Sequence, residues 1–227
     1  FEQNTLLQKE VETYSDWKNK VKKTFLFFKN IDAIVVSSVG SLSKSDFLEL
    51  NPSINVFFIS HESNFPFQNL YETPTTLGID RMVLATGAVL QFPKKNRLVI
   101  DAGTCITYDF IDENDNYLGG AISPGIRLRY ESLHNYTSKL PLLTIDNPNQ
   151  IIGKSTTQAI HSGVINGVIM EIDGFINANF YKNDNFIIIL TGGDSEFLAE
   201  RLKNTIFANP NFLLESLNQT FQYNQND

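Results

Sequence analysis

Leu98-Val99-Ile100-Asp101-Ala102-Gly103-Thr104 is the stretch on which the fold turns. Three apolar residues read as a buried strand, Asp101 ends it, Gly103 makes a tight turn and Thr104 opens the next strand. Glycine there permits positive φ and close backbone approach. Threonine offers a hydroxyl and an N–H to a phosphate oxygen, and aspartate can face the cation that accompanies a nucleotide. Alone, the same residues read equally well as a plain hairpin with an Asp at a strand end.

Downstream, strands are expected at Arg97–Asp101, Thr104–Ile111 and Tyr117–Ile122, with a turn at Asp112–Asn116 between the last two. A helix is expected from Pro124, carried on by Ile126, Tyr130, Leu133 and Leu140. A long helix should span Ser155–Tyr181, followed by a strand at Phe186–Leu190, a Gly192-Gly193 turn and a helix at Ser195–Asn204. Upstream, periodicity predicts a strand at Leu6–Val11 and a helix at Tyr14–Phe28 with Trp17, Val21, Phe25 and Phe28 on one face. Strands at Asp32–Ser38 and Ile54–Ser60 flank a short helix at Ser45–Leu50. A loop over Glu62–Thr76 leads into a helix at Leu77–Gln91.

The second half thus reads strand, strand, strand, helix, helix, strand, helix, and the first half matches it if its opening two strands, about 15 residues, are absent. The expectation is an α/β protein of two similar lobes, residues 1–95 and 96–227, with a cleft between them. Its 227 residues allow one large domain or two small ones. At 42% hydrophobic and 19% charged, the composition excludes disordered and fibrous classes. A net charge of -7 argues against tight binding to nucleic acid, and no apolar run approaches the roughly 20 residues that cross a bilayer. The basic cluster Lys18–Lys23 reads as a solvated helix face. The lone Cys105 can form no internal disulfide and supplies no thiolate metal cage, which fits a reducing, cytoplasmic setting.

Two further turns could carry chemistry. Thr191-Gly192-Gly193-Asp194 stands between an apolar strand and a helix, where the glycines would let a flat ligand lie against the backbone and Asp194 could cap the helix. Gly78-Ile79-Asp80-Arg81 opens a helix after Tyr71, so Asp80 is either a helix cap or a general base for a substrate hydroxyl, with Arg81 as an anion or orientation contact.

These turns, together with Gly119-Gly120-Ala121-Ile122-Ser123-Pro124-Gly125, Thr137-Ser138-Lys139-Leu140-Pro141 and Gly153-Lys154-Ser155-Thr156, occur in the order and spacing of one family. From about Asp32 to Gly193 the chain resembles type III pantothenate kinase. The resemblance implies two ribonuclease-H-like lobes of the actin, sugar-kinase and heat-shock ATPase superfamily. It implies transfer of the γ-phosphoryl of ATP to pantothenate, the first step of coenzyme A biosynthesis, with Mg²⁺ and K⁺ or NH₄⁺. By matching positions, Asp80 is the proton acceptor and Asp101 the monovalent-cation ligand. Gly103, Thr104, Gly192 and Gly193 would contact nucleotide, and Tyr71, Gly78, Ile79, Asp80, Arg81 and Thr156 would contact pantothenate. A homodimer is implied, with a neighbouring subunit completing the pocket near Thr156.

The family opens on an Asp-x-Gly-Asn-Thr phosphate loop, and no such motif precedes Asp32. The chain is therefore expected to be an N-terminally shortened kinase, the alternative being a degenerate, non-catalytic relative that binds pantothenate or nucleotide or serves as an accessory factor of transcription. Gly163 and Gly167, four apart in the long helix, suggest close packing of another backbone, from this chain or a second one. His61, His134 and His161 show no metal-ligand spacing and are read as surface or hydrogen-bonded side chains. Cys105 is read as a small buried residue, and Asp112–Asn116 as a turn rather than a calcium loop.

Overall fold

The computed structural model describes residues 1–227 apart from 13–14, 38–41, 149, 179–184 and 226–227. Near the N-terminus, α1 (Trp17–Phe27), β1 (Ala33–Val36), α2 (Lys44–Leu48) and β2 (Asn55–Phe58) form a small layer in which β1 and β2 pair in parallel. Strand alternation divides the side chains of that pair. Val36 and Val56 join Trp17, Phe25 and Phe47 in a core under α1 and α2, whereas Val35 and Phe57 face the opposite way.

Next come β3 (Gln68–Asn69), a 3₁₀ turn at Pro74–Thr76, α3 (Ile79–Gln91), β4 (Asn96–Ala102), β5 (Cys105–Ile111) and β6 (Asn116–Pro124). Then α4 (Ile126–Asn135), α5 (Thr156–His161), a π turn at Ser162–Asn166, α6 (Gly167–Asn177), β7 (Phe186–Thr191), α7 (Ser195–Ala199), β8 (Phe207–Ala208) and α8 (Phe212–Gln225) complete the order. The larger sheet runs β3-β6-β5-β4-β7-β8, with β4 antiparallel to β5 and parallel to β7.

Period two again decides which core each residue enters. Leu98, Ile100 and Ala102 of β4 meet Ile126 and Tyr130 of α4 and Ile160, Val168 and Ile172 of the long helix. Val99 meets Val83 and Leu84 of α3 and Phe212 of α8 on the other face. Because α8 also touches the small sheet, with the Phe57 and Phe221 rings 5.5 Å apart, α3 and α8 lie between the two sheets. Each fully buried Leu or Ile contributes about 1.5–3 kcal/mol, so the two faces of β4 anchor both layers.

Most of the expected elements are present, and the differences have local causes. Leu6–Val11 is not a strand: among the described residues it pairs with no other strand, and Val11 is 85% exposed. Pro124 does not begin a helix. It is the last residue of β6, paired with Cys105, and Gly125 is the N-cap of α4. The helix from Ser195 stops at Ala199, and the long helix ends at Asn177, while its expected end at Tyr181, like the expected helix start at Tyr14 and strand end at Ser38, lies outside the described residues. Thr156–Asn177 has the length and composition to cross a bilayer, but its apolar stripe of Ile160, Val164, Val168 and Ile172 lies against the sheet as a core helix. Beyond the adjoining residues and the helix's own backbone, no atom of the described chain comes within 4 Å of a Cβ built on Gly163 or Gly167, so packing against another element of the described chain does not explain them.

Cys105 is exposed, contrary to the expected small buried residue, because it opens β5 at the rim of the Gly103 turn. The Asp112–Asn116 turn forms as expected: Asp115 takes φ +62 and the Asp112 carboxylate accepts from the backbone N–H of Asn114 and Asn116. The three histidines are hydrogen-bonded, His61 to the Leu77 carbonyl, His134 to the Leu140 carbonyl and His161 to the Tyr130 hydroxyl. In the basic cluster, Lys18 pairs with Asp46 and Glu49, and Lys20 with Glu10 and Glu12.

Candidate active site

Strand β4 ends at the site because parallel pairing with β7 brings Asp101 beside Thr191, each on the face toward α3. The Gly103 turn and the Gly192 turn then meet: the Asp194 N–H donates to the Ala102 carbonyl at 3.0 Å, and the Gly125 N–H to the Thr104 carbonyl at 2.9 Å. Gly192 has φ +94, and a Cβ there would collide with the Ala102 carbonyl and stand 2.5 Å from Asp101 Oδ1. Only glycine leaves the Asp101 carboxylate that space. Thr191 Oγ1, buried beside Asp101, has no hydrogen-bond partner among the described residues. Thr104 and Gly193 are exposed at the rim, and Asp194 occupies the N-cap of α7 without a side-chain cap bond.

Across from this turn pair, Gly78 is the N-cap of α3, and Asp80 in the first turn accepts from the Arg81 backbone N–H at 2.9 Å. The Asp80 carboxylate thus caps nothing at the N-cap position and is held from its own neighbour. The Arg81 side chain, almost fully buried, crosses to β5 and donates from Nε to Asp109 Oδ1 at 2.8 Å. Its Nη2 lies 2.7 Å from the same oxygen as an ion pair without hydrogen-bond alignment. Tyr71 places its ring 5.9 Å from the guanidinium, and Tyr71 and Tyr117 pack edge to face at 6.2 Å.

Charge at this site is concentrated, with Arg81 and Asp109 buried and Asp80 and Asp101 half-buried. Burial, then the neighbouring Asp80 and Asp109 carboxylates, push Asp101 up to about 6. Burial disfavours the Arg81 charge, but the Asp109 carboxylate more than offsets this and holds the guanidinium above its ordinary value. Asp109 itself is pushed up by burial against the pull of Arg81 and Tyr117, and Tyr117 is raised by burial and then by Asp109. Burial also raises Asp194, opposed by Arg127.

Of the residues singled out by sequence, the fold brings together Tyr71, Gly78, Ile79, Asp80, Arg81, Asp101, Gly103, Thr104, Gly192 and Gly193. Thr156 is not among them. It starts α5, whose helix packs on the opposite face of the sheet, and no hydrogen bond or ring contact among the described residues links it to the group. Two members were missed, Asp109 and Tyr117. The available signal was a carboxylate between Tyr108 and Phe110 in an otherwise apolar strand, a position that burial tolerates only with a partner.

The chain has clear relatives among known proteins. Residues 2–178 match the sequence profile described as type III pantothenate kinase. A protein of Flavobacterium johnsoniae named type III pantothenate kinase is 64% identical over 98% of this chain and 91% of its own length. One of Christiangramia forsetii with the same name is 45% identical over 99% and 93%. Among solved structures, a Campylobacter jejuni protein described only provisionally as a Baf family transcriptional activator is 26% identical, with a TM-score of 0.60 over 90% of this chain and 89% of that one.

Proposed function

The chain belongs to the type III pantothenate kinase family, and on that premise we propose that it transfers the γ-phosphoryl of ATP to the terminal hydroxyl of pantothenate in the cleft between an N-terminal lobe, residues 1–95, and a C-terminal lobe, residues 96–227. The observation that carries this reading is the pair of carboxylates, Asp80 and Asp101, set around one buried Arg81–Asp109 ion pair beside the Gly192 turn.

Phosphoryl transfer asks mostly for positioning and charge stabilisation. Asp80, fixed by the Arg81 N–H at Oδ1, keeps its other oxygen for the substrate hydroxyl and accepts its proton. The space that Gly192 leaves at Asp101, together with the Thr191 hydroxyl that has no partner among the described residues, suits a K⁺ or NH₄⁺ ion, which a half-buried carboxylate and a hydroxyl can ligate. Gly103, Thr104, Gly192 and Gly193 line the rim where nucleotide phosphates would lie. Mg²⁺ would enter with the nucleotide phosphates, whose charge it offsets. When bound, ATP supplies the phosphoryl group and the cations offset its charge.

Tyr71, Gly78, Ile79, Asp80 and Arg81 form the pantothenate side. Thr156 reaches that side only from a second subunit, since its own helix lies across the sheet. Met170, 57% exposed, and the open Gly163 and Gly167 face support a homodimer through this helix. The exposed thiol of Cys105 fits a reducing cytoplasm. The test is pantothenate phosphorylation with ATP in K⁺ and then Na⁺ buffer. Turnover that needs K⁺ supports the reading. ATP-dependent phosphorylation of glucose, or hydrolysis of polyphosphate, without action on pantothenate overturns it, and nucleotide or pantothenate binding with no turnover assigns a binding role instead.

A further inference from the structure

Asp109 is the one fully buried carboxylate among the described residues, and it lies directly beneath the candidate substrate side. Its Oδ1 receives Arg81 Nε at 2.8 Å, faces Nη2 at 2.7 Å and accepts the Tyr117 hydroxyl at 2.5 Å, while Oδ2 accepts the Thr107 hydroxyl at 3.3 Å. Such a cluster in a dry core is costly unless each member is satisfied, and a hydrophobic pair of similar size would serve stability as well. Its arrangement instead makes one continuous mechanical link. Asp109 fixes the Arg81 side chain, the Arg81 backbone N–H fixes Asp80 Oδ1, and the guanidinium faces the Tyr71 ring, which itself packs on Tyr117.

Gly120 belongs to the same device. A Cβ there would come 2.9 Å from Arg81 Nη2 and would overlap the Tyr108 carbonyl, so glycine in β6 leaves the channel through which the guanidinium reaches β5. The three residues held by this link, Tyr71, Asp80 and Arg81, sit on two chain segments, the loop before α3 and the first turn of α3, that have no covalent tie to β5. A buried, charge-assisted hydrogen bond from Arg81 Nε to Asp109 Oδ1, backed by the Nη2 charge facing the same oxygen, ties the first turn of α3 to β5.

We propose that Asp109, with Tyr117 as its second partner, is a positioning residue for pantothenate: it locks Arg81 onto β5 and through it sets the base Asp80 and the Tyr71 ring. The inference rests on the reading of Tyr71, Asp80 and Arg81 as the pantothenate side. Asp109 touches no substrate and works only through Arg81.

The test compares Asp109→Asn, Tyr117→Phe and Arg81→Met, singly and as the Arg81→Met/Asp109→Asn double variant, by steady-state kinetics with both substrates. Misplacement of reacting groups by about an ångström can cost up to 10²-fold, so Asp109→Asn is expected to raise the KM for pantothenate about tenfold or more and to lower kcat, with the KM for ATP changed less than about twofold. Tyr117→Phe removes one hydroxyl and keeps the ring, so it folds where Asp109→Asn fails to. It should raise the pantothenate KM a few-fold, again with little effect on ATP. In the Arg81→Met background, Asp109→Asn should add little, since the two act in series. If Arg81→Met is defective toward pantothenate but Asp109→Asn and Tyr117→Phe have normal kinetics, or if the Arg81 and Asp109 effects simply multiply, the proposal is overturned while the site reading stands. A normal pantothenate KM in Arg81→Met removes the site reading and the proposal with it.

Discussion

Asp101→Asn is expected to make the protein more stable and, at the same time, insensitive to K⁺. In the unfolded chain Asp101 titrates near its ordinary value of 3.8, whereas in the folded protein burial and the Asp80 and Asp109 charges raise it to about 6. A shift of roughly two units, at 1.36 kcal/mol each, disfavours the ionised native state by about 3 kcal/mol. The sign follows from proton counts. Between pH 4 and 6 the folded protein binds more protons at Asp101 than the unfolded chain does, so stability falls as pH rises through this window. The cost is absent below about pH 4 and complete above about pH 6. Asparagine carries no such charge. In buffer without K⁺ or NH₄⁺, urea unfolding at pH 7.5 should therefore find the variant more stable than the wild type by about 3 kcal/mol, a Tm difference of roughly 6–12 °C for a chain of this length. At pH 4 the two should unfold alike. Added K⁺ should raise the stability of the wild type by mass action and narrow the gap, leaving the variant unmoved. A variant no more stable than the wild type at pH 7.5, or a gap that persists unchanged at pH 4, would refute the account of Asp101 as a desolvated carboxylate among like charges.

Asp80→Asn should lower kcat by about 10²-fold or more with ATP affinity largely kept, checked by steady-state kinetics and nucleotide binding; near-normal kcat removes Asp80 from the base role. Gly192→Ala should raise the KM for ATP and lower Tm, because a methyl there meets the Ala102 carbonyl and the Asp101 carboxylate on a backbone with φ +94; unchanged kinetics would show that the turn has room to relax. Arg97→Ala should cost about 2–4 kcal/mol in urea unfolding, since this fully buried guanidinium donates to the Phe92 and Asp112 carbonyls and to Asp115, and its loss leaves those acceptors unsatisfied. Less than about 0.5 kcal/mol would mean that water takes its place.

Arg97 and Asp109 mark where sequence reading stopped. Both are charged residues inside apolar strands, and pattern alone gives neither a partner nor a face. Arg97 finds its acceptors in the β5–β6 turn, 15 and 18 residues away, and Asp109 finds Arg81 28 residues back on a helix. Local signals served better where the cause is local. The period-two strands β4, β5 and β7, the turn residues of Asp112–Asn116 and the glycine turns at 103 and 192 were legible because alternation and φ preference act within a few residues. They failed where the cause lies elsewhere, as at Leu6–Val11, which pairs with no strand among the described residues, and at Pro124, where pairing with Cys105 extends the strand past a residue suited to opening a helix.

The order of motifs along the chain determined the family and the α/β class, since each motif is a short segment whose backbone demands are written in its own residues. Which of those segments share a site was decided only by tertiary structure. Parallel pairing of β4 with β7 brings Asp101 to Thr191 and the Gly192 turn, and packing of α3 on the same face brings Asp80 and Arg81 over Asp109. Thr156 carries a motif as clear as the others, yet its helix packs on the far face of the sheet. Desolvation, ion pairing and the raised Asp101 depend on distances between segments far apart in sequence, and those distances exist only once the two cores have closed around the sheet.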